Sequence, residues 1–146
     1  MEMAHGPFVL DDSFGRLDLD RVHGWLTNAY WSQGITRAEV ERGFGGSTLV
    51  AGAYRDGVQV GCLRAVSDRT RFAYLMDVFV EPAARGQGLG RALVQFALEH
   101  PELRLVYQWL LGTVDAHGVY ERVGFAALTN PERLMALRRS RPWITG

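Results

Sequence analysis

The sequence predicts an α+β fold: a mixed sheet of six or seven strands flanked by about four helices. Three observations carry this. The β-rich segments 47–54, 58–66 and 71–80 follow one another through short turns, as in an antiparallel meander. A Gly-rich turn then joins the third of them to an amphipathic helix. Over residues 103–128 a strand, helix, strand order recurs.

In chain order, Met1 to Gly6 is expected to fray, and Phe8 to Leu10 is a short apolar run. Asp18 or Asp20 can cap a helix on which Val22, Trp25, Leu26, Ala29 and Tyr30 recur at i, i+3, i+4, i+7 and i+8. Thr36 and Glu39 have capping-box spacing before a second helix with Val40 and Phe44, stopped by Gly45-Gly46. Within the meander, Arg55-Asp56-Gly57 carries the Asp-Gly pair favoured in tight hairpins, and a second turn falls at Ser67 to Thr70. The third strand ends in Val78-Phe79-Val80, a run suited to a central strand covered on both faces. Pro82 and the glycines break it, and the next helix sets Leu89, Leu93, Phe96 and Ala97 on one face before Pro101. Leu103 to Leu111 reads as a buried strand. Asp115 can cap a short helix with Val119, Tyr120 and Val123 that stops at Gly124. Segments 125–128 and 133–138 read as closing strands, and 140–146 as a tail.

Composition narrows the function. A chain of 146 residues suits a single domain with one core. Its formal net charge is +0, so no global field would hold it on nucleic acid or an anionic membrane. All 16 basic residues are Arg, which removes lysine Schiff-base chemistry. Cys62, alone and in apolar context, reads as a small strand residue. With no export signal or membrane span in the pattern, a cytoplasmic protein is expected, with no metal site.

The segment Arg85-Gly86-Gln87-Gly88-Leu89-Gly90-Arg91 carries the strongest chemical signal. A glycine turn opening a helix presents free backbone N–H groups to an anion, and Arg91, ahead of Arg85, can add charge-assisted contacts. Two familiar alternatives fail. For G-x-G-x-x-G, Arg91 or Leu93 falls where the third glycine is required, and a Walker loop needs a lysine. A turn serving only chain reversal remains the bland alternative for this segment by itself.

Two segments resemble a known family. Val78 to Leu93 resembles the coenzyme A signature V-x-P-x-x-R-G-x-G-x-G of the GNAT N-acetyltransferases, and Gly118-Val119-Tyr120-Glu121-Arg122-Val123-Gly124-Phe125 resembles their L-Y-x-x-x-G-F. More narrowly, Tyr30 to Ile35 and Asp115-Ala116-His117-Gly118 look like a group of small bacterial GNAT proteins.

The resemblance implies a GNAT fold over most of the chain, splayed at its central strands, and acetyl transfer from acetyl-CoA, with coenzyme A as product, to a primary amine of a small molecule or protein. Backbone amides of Gln87, Gly88, Leu89, Gly90 and Arg91 would bind the pyrophosphate. Phe79 and Val80 would align the pantetheine arm, where a bulge splays their strand from residues 105–109, and Thr113 stands where many relatives have a pantetheine-binding Asn. Tyr120 falls at the position that protonates the leaving thiolate; otherwise it is a packed tyrosine. Asp77 is the nearest candidate base, or else the partner of an arginine. Tyr30, Trp31, Asp115 and His117 are candidate acceptor-site residues, with helix core, helix cap and helix surface as their alternatives. Homodimers are common in the family. A non-catalytic acyl-CoA-binding module and a partner-binding domain remain as readings from other classes.

Overall fold

The computed structural model describes residues 1–141. Six strands form one sheet in the order β1 (Glu2–His5), β2 (Phe8–Asp11), β3 (Leu49–Arg55), β4 (Val58–Ser67), β5 (Ala73–Val80) and β6 (Trp109–Leu110). Neighbours are antiparallel except β5 and β6, which are parallel. The helices are α1 (Leu19–Leu26), α2 (Arg37–Gly45), α3 (Leu89–Glu99) and α4 (His117–Glu121). This is the expected mixed sheet with four helices.

Local chemistry explains most boundaries. The Asp18 carboxylate accepts the Arg21 N–H and caps α1. Thr36 and Glu39 form the full capping box at α2, satisfying N–H groups that the helix itself leaves free. Asp56 and Gly57 both take positive φ, 49° and 79°, as a tight hairpin between right-twisted strands requires.

Four expectations are corrected. Residues 2–5 do not fray: β1 pairs in full with β2, and the Met1 ammonium lies 2.7 Å from Asp12. Helix α1 stops at Leu26, short of Ala29 and Tyr30, because the Asn28 amide and the Ser32 hydroxyl bond the carbonyls of Gly24 and Leu26. Such side chains compete with helix continuation. Of 103–111 only Trp109 and Leu110 enter the sheet, since the preceding residues turn back on His100, with Leu103 N to His100 O at 2.9 Å. Segments 125–128 and 133–138 pair with no strand among the described residues, and Pro131–Arg133 is a 3-10 turn. The outer edge of β6 is open, but β6 is only two residues long and offers these segments little ladder to extend. Of the expected tail, residues 142–146 lie outside the described residues.

The sheet is packed on both faces, and strand alternation sorts the residues. Leu49, Ala51 and Ala53 join Leu63, Leu75 and the α3 residues Leu89, Leu93 and Phe96 on one side. Val50 and Cys62 meet Val22, Leu26, Val40 and Phe44 from α1 and α2 on the other. Cys62 is fully buried, which pushes its thiol far above the usual range, so it is no nucleophile. Phe96 is 0% exposed. Phe96→Ala is therefore expected to lower stability by about 3–5 kcal/mol, read from the urea midpoint at unchanged slope. Among the described residues no helix is long and apolar enough to cross a membrane.

Candidate active site

The site begins with a fault in the sheet. Cys62 pairs with Phe79 but Arg64 pairs with Met76, so Leu63 faces both Asp77 and Val78, a β-bulge. Asp77 takes φ 54°, a left-handed conformation that Asp tolerates better than most residues. Its side chain is buried and doubly engaged: Oδ2 accepts from Arg64 Nε at 2.7 Å and Oδ1 from the Trp31 indole N–H at 2.9 Å. The arginine partner expected as one alternative for Asp77 is Arg64. Strand β6 pairs with β5 only at Ala73 and Tyr74, so the two strands part beyond Leu110. The split was expected at 105–109; it lies after that segment instead, because Trp109 is itself paired.

Below the split sits the glycine turn. Gly86 and Gly88 take φ 81° and 74°, and a Cβ on Gly86 would meet nothing within 4 Å. Helix α3 starts from Gly88 with no side-chain cap and no acidic residue in its first turn. Among the described residues no backbone acceptor takes the N–H groups of Gln87, Gly88, Leu89, Gly90 or Arg91. Five consecutive donors at the helix start lack a protein partner among the described residues, with no Cβ at two turn positions, which suits a pyrophosphate. The Gln87 carbonyl is held from behind by His5 Nε2 at 2.9 Å. His5 was assigned to a frayed terminus, and no local signal in the sequence ties it to residue 87. Arg85 donates from Nε to the Val80 carbonyl at 2.9 Å and lies 5.5 Å from the Phe79 ring centre, whereas Arg91 makes no hydrogen bond or ion pair among the described residues.

A single cleft of about 1150 Å³ runs from this cradle along β5 to the loop after α1. Asp77, Phe79, Val80, Arg85, Gly88, Leu89, Gly90, Arg91, Thr113, Asp115, Tyr120, Tyr30 and Trp31 all line it. Gln87 and His117 do not: Gln87 is exposed on the turn, where only its backbone could serve the cradle, and His117 is exposed at the first residue of α4, on the side the short helix turns outward. Asp115 is no helix cap; the Ala116 N–H goes to the Thr113 hydroxyl at 3.0 Å. Sequence reasoning missed Tyr74, Arg122 and Arg138, which also line the cleft and belong to no local pattern that marks a site.

Tyr120 is set by α4 with its ring edge-on to Phe125 at 6.0 Å. Burial, reinforced by the nearby Tyr30 and Asp115, pushes its phenol up to about 12, so it keeps its proton across the neutral range. Across the cleft, the Tyr30 hydroxyl accepts the Val114 N–H at 3.0 Å, which ties the loop after α1 to the loop before α4.

Comparison with known proteins agrees with this geometry. Residues 15–125 match the acetyltransferase (GNAT) family. A solved structure from Xanthomonas campestris pv. campestris, assigned as a GNAT-family acetyltransferase, is 37% identical over 94% of this chain and 95% of its own, with a TM-score of 0.86. A structure from Deinococcus radiodurans R1, likewise assigned as an acetyltransferase, is 23% identical, covers 94% and 92% of the two chains and has a TM-score of 0.73. One from Clostridium acetobutylicum, solved with acetyl-CoA, is 13% identical over 90% and 96%, with a TM-score of 0.67. The last two share the fold. With the matched span running from the first 3-10 turn to Phe125, and so taking in the meander, the glycine cradle and Tyr120, the chain belongs to the GNAT family of acetyltransferases, whose chemistry is acyl transfer from acetyl-CoA.

Proposed function

We propose that the protein is a cytoplasmic N-acetyltransferase moving the acetyl group of acetyl-CoA directly to a primary amine while both substrates occupy the cleft. The observation that carries this reading is the convergence, in one cleft, of the uncapped α3 N-terminus and a protonated Tyr120. Acetyl-CoA supplies an activated acyl carbon on a thiol leaving group. Amides of Gln87 to Arg91, with the Arg91 guanidinium, hold the pyrophosphate. Arg85 serves the site by bracing Val80 and Phe79, whose strand end, parted from β6, offers a backbone edge to the pantetheine, with the Thr113 hydroxyl beside it.

The amine nitrogen gains the acetyl group as the carbon–sulfur bond breaks. One amine proton leaves to water, and Tyr120 gives its proton to sulfur and recovers it from solvent. Asp77 acts through position, not as the base, because both carboxylate oxygens already accept from Arg64 and Trp31. It holds the bulge and one wall of the acceptor pocket.

Two outcomes test the reading. Wild-type protein with acetyl-CoA and an amine library should release thiol in equal amount to acetylated amine. Binding of acetyl-CoA with no turnover of any amine would favour the non-catalytic acyl-CoA-binding alternative. The pH profile gives a second check. Because Tyr120 is raised, the acid form persists above its ordinary titration, so kcat/KM should climb as the acceptor amine loses its proton and show no falling limb below about pH 10.

A further inference from the structure

Building on the transfer reading, we infer that the acceptor is an amine that carries its own carboxylate and a flat apolar side group, in the chemical class of an aromatic α-amino acid. The end of the cleft away from the cradle is an aromatic corner. Tyr30 and Trp31 stand at 85° with ring centres 5.0 Å apart. Both are pinned, Tyr30 by the Val114 N–H and Trp31 by Asp77. Yet they remain 53% and 44% exposed. Aromatic rings that are fixed and still open to solvent form a preorganised surface for a flat apolar group.

Charges at this end complete the match. Asp77 is neutralised by Arg64. Asp115 and Arg138 line the same cleft, and neither makes a hydrogen bond or ion pair among the described residues. Arg141, on the same segment, bonds the Gln33 carbonyl at 3.1 Å and Glu39 at 3.3 Å, which brings the segment carrying Arg138 to the loop after α1. Arg91 stands in the cradle, and Arg122 follows α4, which packs on the cradle where Val119 meets Gly90; both are placed nearer the anion site than the loop after α1. One unpaired anion in the loop before α4 and one unpaired cation on the segment tied to the loop after α1, both lining this cleft, suit a zwitterion. Its ammonium approaches Asp115 and the proton donor, and its carboxylate reaches Arg138. A polyamine or aminoglycoside would bring a second cation toward Arg138 instead.

Thiol release should be measured for phenylalanine, phenylalaninamide, phenethylamine and spermidine, with wild type and Arg138→Ala, together with KM for acetyl-CoA and the thermal midpoint of each protein. Phenylalanine is expected to exceed its amide and its decarboxylated analogue by roughly ten- to a hundredfold in kcat/KM. Arg138→Ala should collapse that ratio toward one at an unchanged midpoint. Equal or better turnover of phenethylamine or spermidine by wild type overturns the inference, as does an Arg138→Ala loss confined to KM for acetyl-CoA. Failure of all four amines in a protein that still binds acetyl-CoA and acetylates another amine also overturns it, leaving the transfer reading intact. Absence of acetyl-CoA binding sinks both.

Discussion

Replacing Tyr120 by Phe is expected to lower kcat by about 10²- to 10⁴-fold, the range for losing a positioned general acid, while acetyl-CoA binding and the thermal midpoint stay unchanged. The substitution is a clean probe. The Tyr120 hydroxyl makes no hydrogen bond among the described residues, so its removal orphans no partner. The ring contact with Phe125 at 6.0 Å is kept. A tyrosine that served only as packing would tolerate Phe without loss of turnover, so single-turnover rates with saturating acetyl-CoA separate the two roles.

Gly88→Glu is expected to raise KM for acetyl-CoA by at least about a hundredfold in a protein that still folds. Two effects add. Gly88 has φ 74°, where any L side chain costs roughly 1–2 kcal/mol, and its Cβ would come to 3.5 Å from His5 Nε2. More important, a carboxylate at the uncapped start of α3 would satisfy the free N–H groups itself and repel phosphate. Gly88→Ala isolates the strain and should produce a much smaller rise. Equal effects of Ala and Glu would place the damage in the turn and not in the anion site.

What could be read from the sequence is what local chemistry decides. The Thr36–Glu39 capping box, the Asp56-Gly57 hairpin and the glycine turn before α3 each declare themselves within a few residues, and the structure has all three. Pairing is different, because it depends on a partner remote in the chain. Residues 133–138 have strand composition but pair with no strand among the described residues, beside an edge strand only two residues long, while Glu2–His5 finds Phe8–Asp11 across a two-residue turn. The same holds in the site. Asp77 was visible as a costly acid in an apolar strand, but its partners Arg64 and Trp31 lie 13 and 46 residues away. Arg138 lines the cleft on a segment that Arg141 ties to Gln33 and Glu39, 108 and 102 residues away. Such meetings are set by the packing of α1, α2 and the C-terminal segment.

If the cleft between the α3 cradle and the aromatic corner holds acetyl-CoA, titration calorimetry of acetyl-CoA into the wild-type protein will show it. One site per chain with micromolar affinity is the predicted result, and the absence of saturable heat from a folded sample would contradict it.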